Sequence, residues 1–389
     1  MVFERARRSR REQTVLLWVR ALFTITVLGV ASHAHAQVIA GTSVYVRQDT
    51  DKTTVIAPRW HVGAPVAERS RVDLVYTADV WTSASIDIRT SASKPTRPVT
   101  EQRDEINTTA TQEWDDFSLS GTYRYSHEYD YQSHGGTLSG SYAMAEKSTT
   151  LDFRLGATFD AVGRAGDHNF NKDVRNMNLR LGLTQLIDAN TFVQGIYEIM
   201  DSNGFNSSAY RYVGFGTTNG LCKWTDPMAK TYCVPERNPN DRLKHAFALN
   251  ARRAFGESFS AGVGYRFYMD SWAVMSHTAT LELGWLASTD LLFAVRYRFY
   301  MQGSAKHYKK SFEYSDVDSM PAFSNDKELS AFMSHRVALD IEKEVELDER
   351  GHKLALVISV APSLFLYSNY APLSQISAIE ATLATVLKL

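Results

Sequence analysis

Residues Phe117 to Tyr131 alternate between two kinds of side chain over about fifteen positions. Because successive side chains of a β-strand point to opposite faces, this alternation predicts a strand with one apolar and one polar face. Strands of soluble proteins are usually about five or six residues long, whereas crossing a bilayer at a tilt takes roughly nine to eleven. The stretch therefore predicts a transmembrane strand. Its mostly aromatic or apolar odd positions are Phe117, Leu119, Gly121, Tyr123, Tyr125, His127, Tyr129 and Tyr131.

The same period of two recurs down the chain, and long and short connections alternate between the predicted strands. The pattern predicts an all-β fold, a transmembrane antiparallel up-and-down β-barrel of about 16 strands, with roughly 14 or 18 as alternatives. Outer-membrane barrels have long external loops and short periplasmic turns, so both chain ends are expected on the periplasmic side. The predicted long connections follow Asp130, Ala161, Asp201, Asp270, Met301 and Leu366, and the short ones lie near residues 146, 189, 256, 288 and 348.

The first 36 residues predict a secretory signal peptide. Five arginines between Arg5 and Arg11 precede an apolar run from Ala21 to Ala31, and Ala34-His35-Ala36 is a small-residue cleavage motif. A membrane-anchor helix is the weaker alternative, because Arg20 leaves the run too short to span a bilayer. Residues 37–389 are then the barrel, with a less regular start over 37–112 and clear hairpins over 113–389. A soluble N-terminal domain is the alternative for the irregular part.

Charge and composition exclude several classes of protein. The chain has 42 basic and 43 acidic residues, and residues 1–36 hold 6 and 2 of them, which leaves the exported chain at a net charge of −5. This balance argues against a nucleic-acid partner. No later segment contains the run of about eighteen apolar residues that a spanning helix needs. The 12% of aromatic residues fits the aromatic girdles of an outer-membrane barrel.

Two long polar segments, residues 202–241 and 302–329, interrupt the hairpins, and loops of this length are more often functional than incidental. The first contains both cysteines, Cys222 and Cys233. In an oxidising compartment this pair predicts a disulfide. A metal site is the lesser alternative because no neighbouring cysteine or histidine cluster supplies further ligands. No cofactor and no catalytic residue are predicted.

In the clear hairpins the odd positions are expected to face lipid and the even positions the lumen. Charged side chains cannot face lipid cheaply, since Arg or Lys at the bilayer midplane costs about 2–4 kcal/mol. Two interpretations stay open together: a ladder of salt bridges that stiffens the wall, and a pore lining or constriction. The residues predicted to line the pore are Arg124, Glu128, Asp130, Arg266, Tyr268, Asp270, Arg298 and Tyr300.

Other polar side chains have plainer interpretations. The histidines of the strands are expected to point mostly outward, as amphipathic residues at the membrane interface: His127, His134, His245, His277 and His335. A basic patch in the second long loop is predicted to be solvated, and contact with anionic lipopolysaccharide or a polyanion is the alternative. It consists of Lys306, His307, Lys309 and Lys310.

Several segments resemble a bacterial family known as domain of unknown function thirty-five-seventy. Similar segments are His127–His134, Tyr265–Trp272 with Ser276–Thr278, Tyr297–Gly303, Asp326–Ser330 and Ser83–Asp87. The resemblance covers nearly the whole exported chain. It implies an outer-membrane β-barrel of unassigned activity, and it carries over no functional residues.

The function expected from the sequence is a porin-like channel for small polar solutes in the bacterial outer membrane. The alternative is an export barrel for polysaccharide or another polymer, working with a periplasmic partner, and a barrel enzyme comes third. An infolded long loop favours the first, a wide unobstructed lumen the second, and a Ser–His–acid cluster the third. Outer-membrane lipid and lipopolysaccharide are the expected partners, and the sequence leaves the oligomeric state open.

Overall fold

A computed structural model describes residues 38–83, 99–222, 228 and 232–389. The predicted signal peptide, residues 1–36, lies outside the described residues. Within these ranges the chain contains eighteen strands and little helix: a four-residue helix α1 (Asp316–Ser319) and a single 3₁₀ turn (Lys327–Leu329). No described helix has the length and apolar composition needed to cross a membrane.

Sixteen of the described strands form one closed antiparallel barrel, and β10 pairs with β11 outside it. The strands are β1 (Ile39–Asp49), β2 (Thr53–Ala67), β3 (Ser70–Ser83), β4 (Val99–Glu113), β5 (Phe117–His127), β6 (Tyr131–Met144), β7 (Thr149–Val162), β8 (Lys172–Asp188), β9 (Thr191–Gly204), β10 (Tyr212–Gly214), β11 (Cys233–Pro235), β12 (Asp241–Phe255), β13 (Phe259–Asp270), β14 (Met275–Ser288), β15 (Leu291–Gln302), β16 (Phe332–Glu346), β17 (Lys353–Tyr367) and β18 (Gln375–Lys388). The predicted fold class and the predicted number of strands are confirmed.

The barrel closes between its first and last strands. Strand β1 pairs with β18 from Ile39↔Lys388 to Asp49↔Ala378. The ladder extends one residue further, because Val38 N donates to the Leu389 carbonyl at 3.0 Å and Leu389 N donates back at 2.9 Å. Every other barrel strand pairs with its sequence neighbour, except that β9 pairs with β12 across the first long connection. Closure leaves no strand edge unpaired, as a spanning sheet requires.

The outer surface is an apolar belt. Large apolar side chains remain half exposed on it, including Val263 (58%), Leu339 (53%) and Ile379 (54%). Odd positions face outward in β5, in β7 to β9 and in β12 to β16, but the rule does not hold for every hairpin. In β6 the exposed Leu138 and Tyr142 are even-numbered.

The reversal of parity has a local cause. His127 of β5 pairs with Gln132 of β6, so an even number of residues separates the two partners. Since paired residues share a face, each such hairpin exchanges odd and even positions. The same exchange puts even positions outward in β17, where Leu356 and Ile358 are exposed.

Long and short connections separate to opposite ends of the barrel. The end that carries residues 205–240 and 303–331 is called the outer mouth here, and both described chain ends lie at the other end, beside short turns such as 189–190 and 289–290. Two connections predicted to be long are short, 128–130 and 271–274. Tyr131 already begins β6, and the Asp270 carboxylate closes the second turn by accepting from Trp272 N and Val274 N at 2.9 and 3.0 Å.

The closed ladder gives a direct test of the fold. We expect unboiled, purified protein to migrate at a different apparent mass from boiled protein on a denaturing gel, because detergent alone does not open a closed barrel. Circular dichroism should show a β-sheet spectrum. Identical migration together with a helical spectrum, or recovery of the protein in the cytosolic fraction, would contradict this fold.

Candidate functional site

The described parts of the two long connections, residues 205–222, 228 and 232–240 of the first and 303–331 of the second, interlock at the outer mouth into one unit, the cap. Its core joins Val213 and Phe215 from the first connection to Phe312 and Phe323 from the second, and none of the four is more than 1% exposed. The Phe215 and Phe323 rings meet edge to face with centroids 5.0 Å apart. The cap is therefore packed like a small protein core.

Backbone contacts tie the two halves of the cap together. Phe323 N donates to the Arg237 carbonyl at 2.7 Å, and Arg237 N donates back at 3.1 Å. Within the first half, a disulfide joins Cys222 and Cys233, whose Cα atoms are 5.7 Å apart, as disulfide geometry requires. In the described part of the chain, no group of three or more His, Cys, Asp or Glu residues is placed to hold a metal ion.

A buried carboxylate lies where the halves of the cap meet. The Glu236 side chain is 1% exposed, and it accepts from Ser208 N at 2.9 Å and from the Ser324 hydroxyl. Burial raises the pKa of Glu236, and the charge of Arg211 opposes this rise. The Arg211 guanidinium lies 3.6 Å from Glu236 and is also paired with Asp326 of the second half. One arginine thus links carboxylates from both long connections.

The cap is attached to turns on several sides of the barrel. Its contacts reach the β1–β2, β5–β6, β7–β8 and β17–β18 connections, so the cap extends across the outer mouth. These contacts are Lys327 Nζ with Asp51 (3.2 Å), the Tyr210 hydroxyl with Asp130, Arg164 Nε with the Ala209 carbonyl (2.8 Å), and the Tyr308 hydroxyl with the Asn369 carbonyl (2.5 Å).

A cavity of about 350 Å³ lies between the cap and the lumen wall. The wall contributes Arg242, Lys244, Arg266, Tyr268, Tyr300 and Gln302, and the cap contributes Asp326, Glu328 and Leu329. Three of the residues predicted to line the pore, Arg266, Tyr268 and Tyr300, are therefore brought together here. Cations of the wall face carboxylates of the cap, so the cavity is polar and bears both signs of charge.

Asp270 is placed differently from this group. Its side chain has no exposed surface, and it accepts from Arg242 Nε at 2.9 Å and from the Tyr268 hydroxyl at 2.7 Å. The Arg242 guanidinium in turn lies 4.2 Å from the centre of the Trp272 ring. The sequence predicted that Asp270 lines the passage, but the structure buries its side chain, where it braces the wall and its turn.

The remaining acidic predictions lie at the rim. Glu128 and Asp130 form the β5–β6 turn, where burial raises the pKa of both carboxyls. Asp130 is held by the Tyr210 hydroxyl of the cap, so it serves as an attachment point. Arg124, lower on the same wall, is paired with Glu105 at 2.7 Å. These pairings agree with the interpretation of the inner charges as a ladder of salt bridges that stiffens the wall.

Arg266 and Arg298 occupy equivalent places in the repeated Tyr-Arg-Phe-Tyr-Met segments but have different neighbours. Arg266 is paired with Glu198 of β9 at 3.0 Å. Arg298 has no ion-pair partner among the described residues, and its register partner on β16 is Arg336, which is bound to Glu380 at 2.9 Å. Like charges directly opposite each other destabilise a sheet. Arg298 is therefore an uncompensated cation on the lumen wall.

Sequence reasoning missed three residues of the site, one on the wall and two in the cap. Lys244 is an even position of β12, so its place on the lumen wall could have been predicted from the strand alternation. It has no ion-pair partner within the described ranges, and its Nζ donates to Met200 Sδ at 3.8 Å. Asp326 and Glu328 belong to the cap, whose fold has no periodic signal in the sequence. The structure also divides the predicted basic patch, because His307 is buried and Lys309 is paired with Asp316 at 3.0 Å.

His307 lies in surroundings that disfavour a charged ring. The ring is 4% exposed, its Nε2 lies 2.9 Å from Asn238 Oδ1, and it meets the Trp272 ring edge to face. Burial and the positive charges of Arg242 and Lys306 lower the pKa of His307 to about 4. The ring is therefore an uncharged part of the cap interior.

The disulfide of the cap can be tested chemically. We expect thiol labelling of denatured, unreduced protein to find no free cysteine and labelling after reduction to find two, because Cys222 and Cys233 are joined. In the chain-entropy model a bond across a loop of this size stabilises the protein by up to about 3 kcal/mol. Two labelled thiols before reduction would contradict the pairing.

Comparison with known proteins gives one family. Residues 87–359 match the family described as "Protein of unknown function (DUF3570)", and no curated protein matches significantly. Similar solved structures include the outer membrane protein OprD from Pseudomonas aeruginosa, 9% identical, covering 91% of this chain and 94% of that one with a TM-score of 0.43.

Two further structures show the same level of likeness. The outer membrane protein OpdK from Pseudomonas aeruginosa is 8% identical, with 91% of this chain and 99% of that one covered and a TM-score of 0.42. The siderophore receptor PirA from Acinetobacter baumannii is 9% identical, with 86% and 54% covered and a TM-score of 0.43. With residues 87–359 matched, the chain belongs to the DUF3570 family.

Proposed function

We propose that the protein is a porin-like channel that lets small polar solutes cross the bacterial outer membrane. The observation that carries the proposal is a closed sixteen-stranded barrel with a charged inner wall and a packed cap across its outer mouth. Barrels of about sixteen to eighteen strands leave an aqueous passage unless they are plugged. The cap narrows the passage at one end.

The outer surface supports the membrane location. Side chains such as Val263, Leu283 and Leu339 are more than half exposed, and exposed apolar area costs about 25 cal/mol per Å² in water. A lipid environment removes that cost. The predicted signal peptide supplies a route out of the cytoplasm, and the end that carries the cap then faces outward.

The cavity below the cap bears on the choice between a small solute and a polymer. Its volume of about 350 Å³ is at the lower end of the range of roughly 300–1,000 Å³ that is typical of small-molecule sites. An export barrel for a polymer requires a wide passage, whereas here the cap spans the mouth. No observation favours the barrel enzyme: within the described residues His61 and His352 contact carboxylates, and neither ring contacts a serine hydroxyl.

The first functional test concerns the cap. We expect Arg211→Ala to raise the single-channel conductance of refolded protein, because it leaves Glu236 buried without a cation and loosens the contact between the two halves. Arg237→Ala is the matched control, since Arg237 lies in the same connection and stacks on the Phe323 ring at 5.1 Å without an ion pair. Equal conductance in both variants and wild-type protein would show that the cap does not limit the passage.

The second test concerns Arg298. In a narrow aqueous passage with low-dielectric walls, an uncompensated cation raises the local concentration of anions. We expect Arg298→Glu to shift the reversal potential under a salt gradient toward cations. The shift should shrink in concentrated salt, where the Debye length falls to about 3 Å at 1 M.

The control for this test is Arg350→Glu, the same charge reversal at an exposed position in the β16–β17 turn. An unchanged reversal potential in folded Arg298→Glu protein would mean that Arg298 lies away from the narrowest path. Absence of any conductance in wild-type protein would favour a plugged barrel, or an export barrel that opens only with its partner.

A further inference from the structure

The same pair of side chains occurs four times on the outward face of the barrel. In each pair a tyrosine hydroxyl lies within hydrogen-bond distance of a histidine Nδ1 on the neighbouring strand. The Tyr–His pairs are Tyr123–His134 (2.8 Å), Tyr197–His245 (3.0 Å), Tyr265–His277 (2.6 Å) and Tyr297–His335 (2.7 Å). They lie on four separate strand pairs, so the arrangement is a repeated feature of the wall.

All four Tyr–His pairs lie at one level, just inside the outer mouth. Each histidine is among the first five residues of a strand that starts at the mouth, as His277 is in β14 (Met275–Ser288) and His335 in β16 (Phe332–Glu346). The tyrosines are partly exposed on the outward face, Tyr123 by 53% and Tyr265 by 49%. This is the level at which aromatic girdles meet lipid headgroups.

A second aromatic ring flanks each pair. Phe267 lies 5.3 Å from His277 and Phe299 lies 5.3 Å from His335, measured between ring centres. Tyr125 lies 5.0 Å from His134, and Phe247 lies 4.9 Å from Tyr197. The imidazoles of His134, His277 and His335 therefore lie between two aromatic neighbours, which limits their rotation, and in the fourth pair the second ring packs on the tyrosine.

The hydrogen bond from tyrosine decides which imidazole nitrogen remains available as a hydrogen-bond donor. A phenol hydroxyl is a better donor than acceptor, because its oxygen lone pairs are delocalised into the ring. We therefore assign its proton to the bond with Nδ1, which puts the ring proton on Nε2. If the ring is protonated, Nε2 carries a proton as well. In both states Nε2–H of His245, His277 and His335 is a donor.

That donor has few partners within the protein. In the described part of the chain, Nε2 of His245, His277 and His335 has no hydrogen-bond partner. Nε2 of His134 lies 3.3 Å from the side-chain nitrogen of Gln132, which can only donate, so His134 accepts that bond at Nε2 and the free donors belong to the other three rings. None of the four rings forms an ion pair with a described carboxylate. The surrounding belt is apolar, so an acceptor must come from outside the protein.

We propose that the Tyr–His pairs bind the phosphate groups of lipids in the outer leaflet, with Nε2–H of His245, His277 and His335 as the donors, which gives the barrel a ring of lipid contacts at a fixed depth. The proposal rests on the membrane location of the proposed function. Phosphate oxygens are strong acceptors that lie at the boundary between headgroups and hydrocarbon. Equivalent donors spread around the wall match a plane of headgroups, whereas a soluble ligand would need them converged in one pocket.

The test uses refolded protein in neutral detergent, titrated with purified lipopolysaccharide and with the same lipopolysaccharide after removal of its phosphates. The variant replaces His134, His245, His277 and His335 with Phe, which keeps an aromatic ring and removes the Nε2–H donor. His352→Phe, at the opposite end of the barrel, is the matched control.

We expect the affinity of the fourfold variant for the phosphorylated lipid to fall by roughly twofold to tenfold per site, the effect of losing one hydrogen bond. Binding of dephosphorylated lipid should be weak and unchanged, and His352→Phe should behave like wild type. Replacing the four tyrosines with Phe should weaken binding less, because the rings lose their orientation but keep the donor.

Equal binding of phosphorylated lipid by the fourfold variant and wild type would overturn the proposal. So would equal binding of lipid with and without phosphate, which would identify the pairs as general interface residues. If the fourfold variant fails the gel-shift test of folding, the single variants His277→Phe and His335→Phe give the same comparison. Conductance is measured on the same samples, so a failed channel and a failed lipid site are distinguished.

Discussion

The structure depends on one constraint, that backbone N–H and C=O groups in a hydrocarbon layer must find partners within the protein. An open sheet leaves two edges without partners, and each unpaired group costs several kcal/mol in lipid. Pairing of β1 with β18 removes both edges, and the bonds between Val38 and Leu389 extend the closure to the last residue. Because the first and last strands form one seam, closure needs almost the entire described chain.

Closure also decides what charged side chains can do. Every barrel strand has one face toward the apolar belt, so charges collect on the inner face, where most of them are paired. Arg124 with Glu105 and Arg266 with Glu198 are such pairs, and partly exposed ion pairs of this kind are each worth about 1 kcal/mol or less. Together these ion pairs stiffen the barrel wall and lower the net charge of its inner face. In the proposed channel, a single cation without an ion-pair partner, such as Arg298, has an influence on solutes that a paired cation lacks.

The cap shows a different principle, since it is built from segments with no strand alternation. Its stability comes from a small aromatic core around Phe215 and Phe323, a disulfide, and a buried acid, Glu236, beside Arg211. Its contacts with turns on several sides of the barrel hold the cap in place across the mouth. A rigid wall and a separately packed cap allow the passage to be narrowed without any change in the barrel.

The alternation of apolar and polar side chains is a local property, since consecutive residues of a strand form its two faces. The sequence alone therefore determined the strands, the barrel class and the membrane setting. Hairpin register decided which face of β6 and of β17 points outward. Turn geometry decided that Asp270 is buried. The clearest limit is the repeated pentad: Tyr265–Met269 and Tyr297–Met301 are identical, yet Arg266 faces Glu198 and Arg298 faces Arg336. These neighbours are set only when the strands pair in the folded sheet, since Glu198 lies 68 residues from Arg266 and Arg336 lies 38 residues from Arg298 along the chain.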